Sequence, residues 1–198
     1  MRKGPGVSFE VNAFGQQFLF LDDRTFRTEA GATTQSLFGR MQESWVFSRL
    51  AEGRGPAWLL SGSQWFGGYL EKESYEFTHP QSFQWFLDRL SRMRRYVSFV
   101  SGDVHFSEIM DIEAEILGYQ TLELTASSIH STTVPGWHRL FRNPRRMAST
   151  SRHNFLIVDL ERHSGGGQAE RIQCFGRGRR PFFSVRRELS VNGLVQIS

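Results

Sequence analysis

Three short apolar runs, each stopping at a polar turn, constrain the fold of this chain most tightly: Gln17-Phe18-Leu19-Phe20-Leu21, Trp58-Leu59-Leu60 and Tyr96-Val97-Ser98-Phe99-Val100. Runs this short and this apolar read as buried strands. Between them lie two stretches of helical periodicity. Leu37, Phe38, Met41, Trp45 and Val46 recur at three- and four-residue spacing, which predicts a helix over 36–51 with one apolar stripe, ended by Gly53. A second helix opens at Thr78-His79-Pro80, with proline in the first turn where its missing N–H costs nothing, and buries Phe83, Phe86, Leu87, Leu90 and Met93.

Beyond residue 118 the pattern changes to strands, over 119–125, 154–160, 171–175 and 182–195, the last folded back at Asn192-Gly193, where a type I′ turn needs positive φ at both positions. Helices first and strands later predict a layered α/β sandwich whose second sheet is mainly antiparallel. The whole of 1–198 reads as a single domain with a strand-rich portion over 119–198. With 198 residues, 39% of them hydrophobic, the chain can bury a substantial core. Gly165-Gly166-Gly167 is a loop between strands; it lacks the Lys-Ser/Thr and following helix of a phosphate loop.

The residues with most chemistry follow the third apolar run: Ser101-Gly102-Asp103-Val104-His105-Phe106-Ser107-Glu108. A carboxylate and an imidazole two apart at a strand end form half a metal site, suited to zinc, iron, manganese or similar ions, and Gly102 is expected to let the backbone turn there. The competing reading is an Asp that orients a nearby His or caps a helix. Other features read more plainly. Cys174, the single cysteine, alternates with Ile172 as a core strand residue would. His79 belongs to a helix entrance, and His138, His153 and His163 lack metal-ligand spacing. Ser127 and Ser128 lack the Gly-x-Ser-x-Gly elbow of a hydrolase nucleophile.

Of 24 basic residues all but Lys3 and Lys72 are arginine, and two groups stand out: Arg139, Arg142, Arg145, Arg146 and Arg152, then Arg177, Arg179, Arg180, Arg186 and Arg187. They read either as solvated faces or as attractors of phosphate-bearing molecules, since guanidinium binds phosphate through a two-pronged donor set. The aromatic residues sit at core periodicities, so a base-stacking platform for nucleic acid is the weaker reading.

The Gly102-Asp103-x-His105 motif resembles the last metal-ligand motif of the alkaline phosphatase D (PhoD-like) metallophosphatases, a branch of the calcineurin-like phosphoesterase superfamily. Other blocks are similar in the same order. Leu21-Asp22-Asp23-Arg24 with Arg27 looks like the family's Leu-Asp-x-Arg-x-x-Arg strand end, and Gly39 to Leu50 like its Gly, Gln and Trp-Leu helix. Leu122-Glu123-Leu124-Thr125-Ala126-Ser127-Ser128 resembles its Glu-Leu-Thr-Ser-Ser-Gly strand, and Asn154-Phe155 its Asn-Phe-Gly. The blocks cover 17–160. No counterpart of the family's earlier metal motifs precedes them, so the chain is similar to the C-terminal half only.

The resemblance implies a metal-dependent phosphate-ester hydrolase, alkaline phosphatase or phosphodiesterase, with Asp103 and His105 as catalytic metal ligands and the other half of the site missing. It implies iron and calcium as the metals, with zinc or manganese as alternatives. Asp22, Arg24, Arg27, Glu108 and His130 become candidates for supporting the site or meeting substrate, each with a packing or salt-bridge role as its plainer alternative. A second chain or a dimer is expected to supply or cover the missing half. The alternative function is a noncatalytic basic α/β remnant that binds phosphate-rich ligands or a partner chain. Neither a signal-peptide apolar region nor a run of about 18 apolar residues occurs; a soluble chain is expected, although members of the family are often exported.

Overall fold

The computed structural model describes residues 1–29, 32–67, 74–93, 95–126, 129, 132–136, 139, 143–164 and 167–189, and the backbone of 195–197. The three apolar runs become β3 (Gln16–Phe20), β4 (Ala57–Leu60) and β5 (Val97–Ser101), parallel neighbours within an eight-stranded sheet. Their near-continuous apolarity has a simple cause. Leu19, Leu59, Val97 and Phe99 pack into the core beneath the helices, while Phe18, Trp58, Leu60 and Val100 belong to a second apolar cluster on the other face. Strands covered on both faces need apolar residues at every position.

Helices α1 (Gly39–Glu52) and α3 (Pro80–Ser91) make the crossovers, with a one-turn helix α2 (Tyr75–Thr78) ahead of the second. Phe83, Phe86, Leu87 and Leu90 are buried as the periodicity predicts, and Met93 is partly so. The stripe on α1 differs. Met41 is 67% exposed and the buried face is Gln42, Glu43, Val46, Phe47 and Leu50. Leu37 and Phe38 are buried but precede the helix, so they do not set its phase. The polar Gln42 fills the phase-setting position because its amide donates to Asp22 O and accepts from Asp22 N.

The sheet is completed by strands that the sequence left unassigned or assigned elsewhere. β1 (Arg2–Lys3) and β2 (Phe9–Ala13) extend it antiparallel to β3. β7 (Thr121–Ala126) runs parallel to β5, and β6 (Ser107–Ile112) lies antiparallel between β7 and β8 (Arg146–Thr150). Strand β6 is illegible as an alternating pattern because its Glu108 is fully buried against Arg146 of β8, 2.9 Å away. Of the strands after residue 118, β7 and β8 join this first sheet, and the later ones form the expected antiparallel second sheet.

The second sheet is antiparallel throughout, in the order β12 (Val195–Ile197), β11 (Phe183–Leu189), β10 (Gln168–Phe175), β9 (Phe155–Arg162). The expected turn at Asn192-Gly193, like most of the Gly165–Gly167 loop, lies outside the described residues. Ile172 and Val185 of this sheet pack on Trp58, Ile109, Leu122 and Leu124 of the large one. Cys174 is fully buried, and burial pushes its thiol up to about 12, as suits a core residue. A polar junction crosses the same interface. Arg187, with no exposed surface, pairs with the equally buried Glu170, donates to Tyr96 Oη at 2.6 Å and Ser98 Oγ at 2.7 Å, and lies over the rings of Trp58 and Tyr96.

Candidate active site

In a sheet with parallel neighbours, ligands bind beyond the carboxyl ends of the strands. Here the segments after β3, β4 and β5 meet at that end. Asp22 is almost fully buried and its carboxylate accepts from the amides of Val7, Arg24 and Thr25. Burial alone would raise its pKa, but these donors prevail and hold it at about 2. Asp23, which the sequence did not single out, accepts from Ser63 N at 2.6 Å and fastens the β3 loop to the β4 loop. A side chain at Gly62 would press on the same carboxylate, its Cβ 3.0 Å from Asp23 Oδ2.

The segment after β5 alternates. Val104 and Phe106 are buried, whereas Asp103 and His105 are exposed. The two apolar side chains peg the loop into the core, so the two donors are directed outward together. Gly102 does not make the turn, contrary to the sequence expectation. The left-handed residues are Asp103, at φ 69°, and His105, at φ 59°. Short polar side chains tolerate this region best, and a non-glycine residue held there is a reservoir of strain of the kind that clusters at functional sites.

His105 Nδ1 lies 2.9 Å from Thr132 O. A carbonyl can only accept, so Nδ1 carries a proton, and Nε2 is the nitrogen left to face an ion, as in a metal-ligating histidine. Arg24, largely exposed, sits with its guanidinium 3.6 Å from the Asp103 carboxylate. Asp103 and Arg24 thus share one crevice, with His105 exposed two residues farther along the same loop. Arg27 is half-buried, and its charge, after burial itself, helps to lower the pKa of His79. His79 is a satisfied structural residue between α2 and α3, bonded to Thr78 Oγ1 and Thr28 O. His130, Ser127 and Ser128 lie outside the described residues, and among the described residues no group of three or more His, Cys, Asp or Glu converges as a metal site.

Glu108 is not in the crevice. It accepts from Gln64 Nε2 and pairs with Arg146 beneath it. Beside it the sequence reading missed Glu123, also fully buried, whose carboxylate accepts from Trp65 N, Phe66 N and Ser101 Oγ. Desolvation, aided by the neighbouring Glu108 charge, pushes Glu123 up to about 8. It holds the segment after β4 against β5 and β7. The signal for it was a lone acid in an otherwise apolar strand, Leu122-Glu123-Leu124.

Among the described residues, several members of the two arginine groups are held by acidic partners. Arg145 pairs with Glu76 and Glu113, Arg146 with Glu108, Arg186 with Glu188 and Arg187 with Glu170. Arg177, Arg179 and Arg180 are exposed.

Between the two sheets, opening onto the crevice at Arg24, Asp103 and Asn154, lies a cleft of about 820 Å³. Its floor is Phe18, Trp58, Leu60 and Val100 of the large sheet, and its wall is Leu156, Val158 and Leu160 of β9.

No protein-family model matches the chain, and no curated protein matches it in sequence. Its fold matches a solved structure, the structure of PhoD, with a TM-score of 0.66 at 16% identity. The match covers 97% of this chain and 44% of that one, so the chain spans less than half the length of the protein it resembles. At this identity the likeness is one of fold: a layered α/β architecture of the PhoD kind, as the motifs imply. Among the described residues no helix is long and apolar enough to cross a membrane.

Proposed function

We propose that this chain carries one side of the metal centre of a phosphoester hydrolase, with Asp103 and His105 as its ligands. The observation that supports it most is the pairing of an outward carboxylate with an imidazole whose Nδ1 is tied to a carbonyl, leaving Nε2 to bind. The donor set fits iron, calcium, zinc or manganese better than a thiolate metal. Two protein donors are fewer than such ions take, so the remaining ligands come from polypeptide outside the described residues, an upstream portion or a partner.

When bound, the metal would lower the pKa of a water and draw charge from a phosphoryl oxygen. The chain's own residues do the rest. Arg24, exposed and only loosely paired to Asp103, is free to swing to a phosphate oxygen as charge develops on it. Asp22 supports the Arg24 loop through backbone amides, and Glu123 supports the loop after β4. Arg27 and Glu108 take packing and ion-pair roles.

The test is metal binding by calorimetry together with hydrolysis of a phosphomonoester and a phosphodiester at alkaline pH, against a chelated control. Asp103→Asn and His105→Ala should each lose metal affinity by ten-fold or more while keeping the fold. Unchanged affinity in both would sink the reading. The exposed Arg177, Arg179 and Arg180 favour a second reading, a noncatalytic module that binds phosphate-rich ligands. Its affinity would fall steeply with salt and ignore chelators.

A further inference from the structure

Two arginines stand apart from those that have acidic partners. Among the described residues neither Arg139 nor Arg152 makes an ion pair, whereas Arg145, Arg146, Arg186 and Arg187 all do. Both line one pocket of about 660 Å³, together with His153, Ser149, Ser151 and Phe182, and no Asp or Glu is among its described lining residues. Its walls are fastened. Ser151 is buried and its Oγ accepts from Gly136 N at 3.0 Å, while Arg152 N donates to Oγ1 of buried Thr150 at 3.2 Å. The Arg152 guanidinium lies over the Phe182 ring, 5.3 Å from its centroid. The turn that carries the exposed Arg177, Arg179 and Arg180 comes alongside, since a Cβ on Gly176 would sit 3.2 Å from His153 O. Cationic groups gathered around one concavity without counter-charges raise the local concentration of anions.

Two stretches of chain join this pocket to the candidate metal ligands. The Thr132 carbonyl holds His105, and Thr133 lines the pocket; Asn154 lines the cleft beside Asp103, and Arg152 and His153 line the pocket. We propose that Arg139 and Arg152, with His153, form a phosphate-binding subsite, and that the substrate is an ester carrying a second phosphate: the ester phosphate meets Asp103 and His105 while the other is held in this pocket. A phosphate presents three acceptor oxygens, enough for a two-pronged contact from each guanidinium, whereas one such contact occupies both oxygens of a carboxylate. The volume also leaves room for an organic group, since pockets of this size take whole small molecules. The substrate assignment rests on the proposed function; the subsite itself does not.

The probe is inorganic phosphate, titrated into the full chain at physiological salt with chelator present, and followed by calorimetry and by the amide shifts of 149–153. Binding should be saturable. Arg139→Gln combined with Arg152→Gln should weaken it at least ten-fold, and Arg152→Lys, which keeps the charge but not the fork, at least three-fold. Removing the charges of Arg177, Arg179 and Arg180 together should cost less than three-fold. Because Arg152 touches Phe182, the exposed Arg139→Gln alone keeps the test open should the double variant misfold; it too should cost at least three-fold. Unchanged affinity in Arg139→Gln, or a loop variant as weak as the double, would overturn the subsite in favour of a diffuse cationic surface. Loss through Arg24→Gln instead would place the ion in the crevice and overturn it as well. In the metal-loaded chain butane-1,4-diyl bisphosphate should bind at least ten-fold tighter than butyl phosphate, an advantage absent from the double variant; equal affinity would overturn the substrate assignment. Phosphate binding by a chain whose Asp103 and His105 bind no ion would leave the subsite standing and remove the metal centre, and metal binding without phosphate binding would do the reverse.

Discussion

Replacing Arg187 by Met should unfasten the two sheets from each other. The guanidinium is fully buried, paired with a fully buried Glu170, and shared with Tyr96 and Ser98 across the interface. Deleting one member of such a pair leaves the other as an unpaired charge without water, a loss of about 3–5 kcal/mol. For a domain of this size that lowers the thermal midpoint by about 10 °C, since each kcal/mol shifts it by roughly 2–4 °C. The decisive comparison is the double variant Arg187→Met with Glu170→Met. Removing both charges leaves only neutral donors and acceptors to satisfy, so at least half of the lost stability should return. Urea unfolding followed by circular dichroism gives each value. A single variant costing less than about 1 kcal/mol, or a double variant as unstable as the two losses added, would refute the view that the pair acts as one buried unit.

Glu123 gives a pH signature. The unfolded carboxyl releases its proton near 4.5 and the folded one only at about 8, so stability should fall as pH rises through that window, by at most about 5 kcal/mol. Glu123→Gln should flatten the slope whatever constant penalty the amide adds, and an unaltered slope in pH-dependent denaturation would assign it elsewhere. Asp22 works in the opposite sense. Its depressed pKa of about 2, against 3.8 in the unfolded chain, contributes stability above pH 3.8 that disappears as pH falls through about 2. Asp22→Asn should lower stability at pH 7 by up to about 2 kcal/mol and leave a shallower acid limb. Asp103→Gly should relieve about 1–2 kcal/mol of left-handed backbone strain against the ~0.4–1 kcal/mol that glycine's extra unfolded-state freedom costs, a small net gain in stability even as it removes the proposed ligand. Equal or lower stability would show that the Arg24 contact outweighs the strain.

The central strands and α3 were legible because each rests on one signal, apolar continuity or apolar period, with no competing polar requirement. What stayed hidden in the fold was polar. Strands β2 and β6 carry buried Glu10 and Glu108, and the phase of α1 is set by Gln42, so the usual alternation is broken where a side chain meets a distant partner. Burial of this kind is a property of pairs, and pairs such as Glu108 with Arg146 are not adjacent in sequence. The candidate site divides the same way. Asp103, His105 and Arg24 were legible from motif spacing. Asp23 was not, and Glu123 was marked only as a lone acid in an apolar run, because the work of both is to hold backbone amides whose positions the sequence does not show. The turn assigned to Gly102 failed for a related reason: buried Val104 and Phe106 over-determine the loop and press Asp103 and His105 into the unusual backbone themselves.

That pegging by Val104 and Phe106 has a thermodynamic corollary. Donors already aimed by the hydrophobic core lose little orientational freedom when an ion arrives, so binding would not be coupled to folding. Titrating metal should then move the melting temperature only as mass action on the native state demands, and the amide spectrum of the strands should look the same with and without it. The chain would behave as a rigid socket, unlike those small domains that metal must fold.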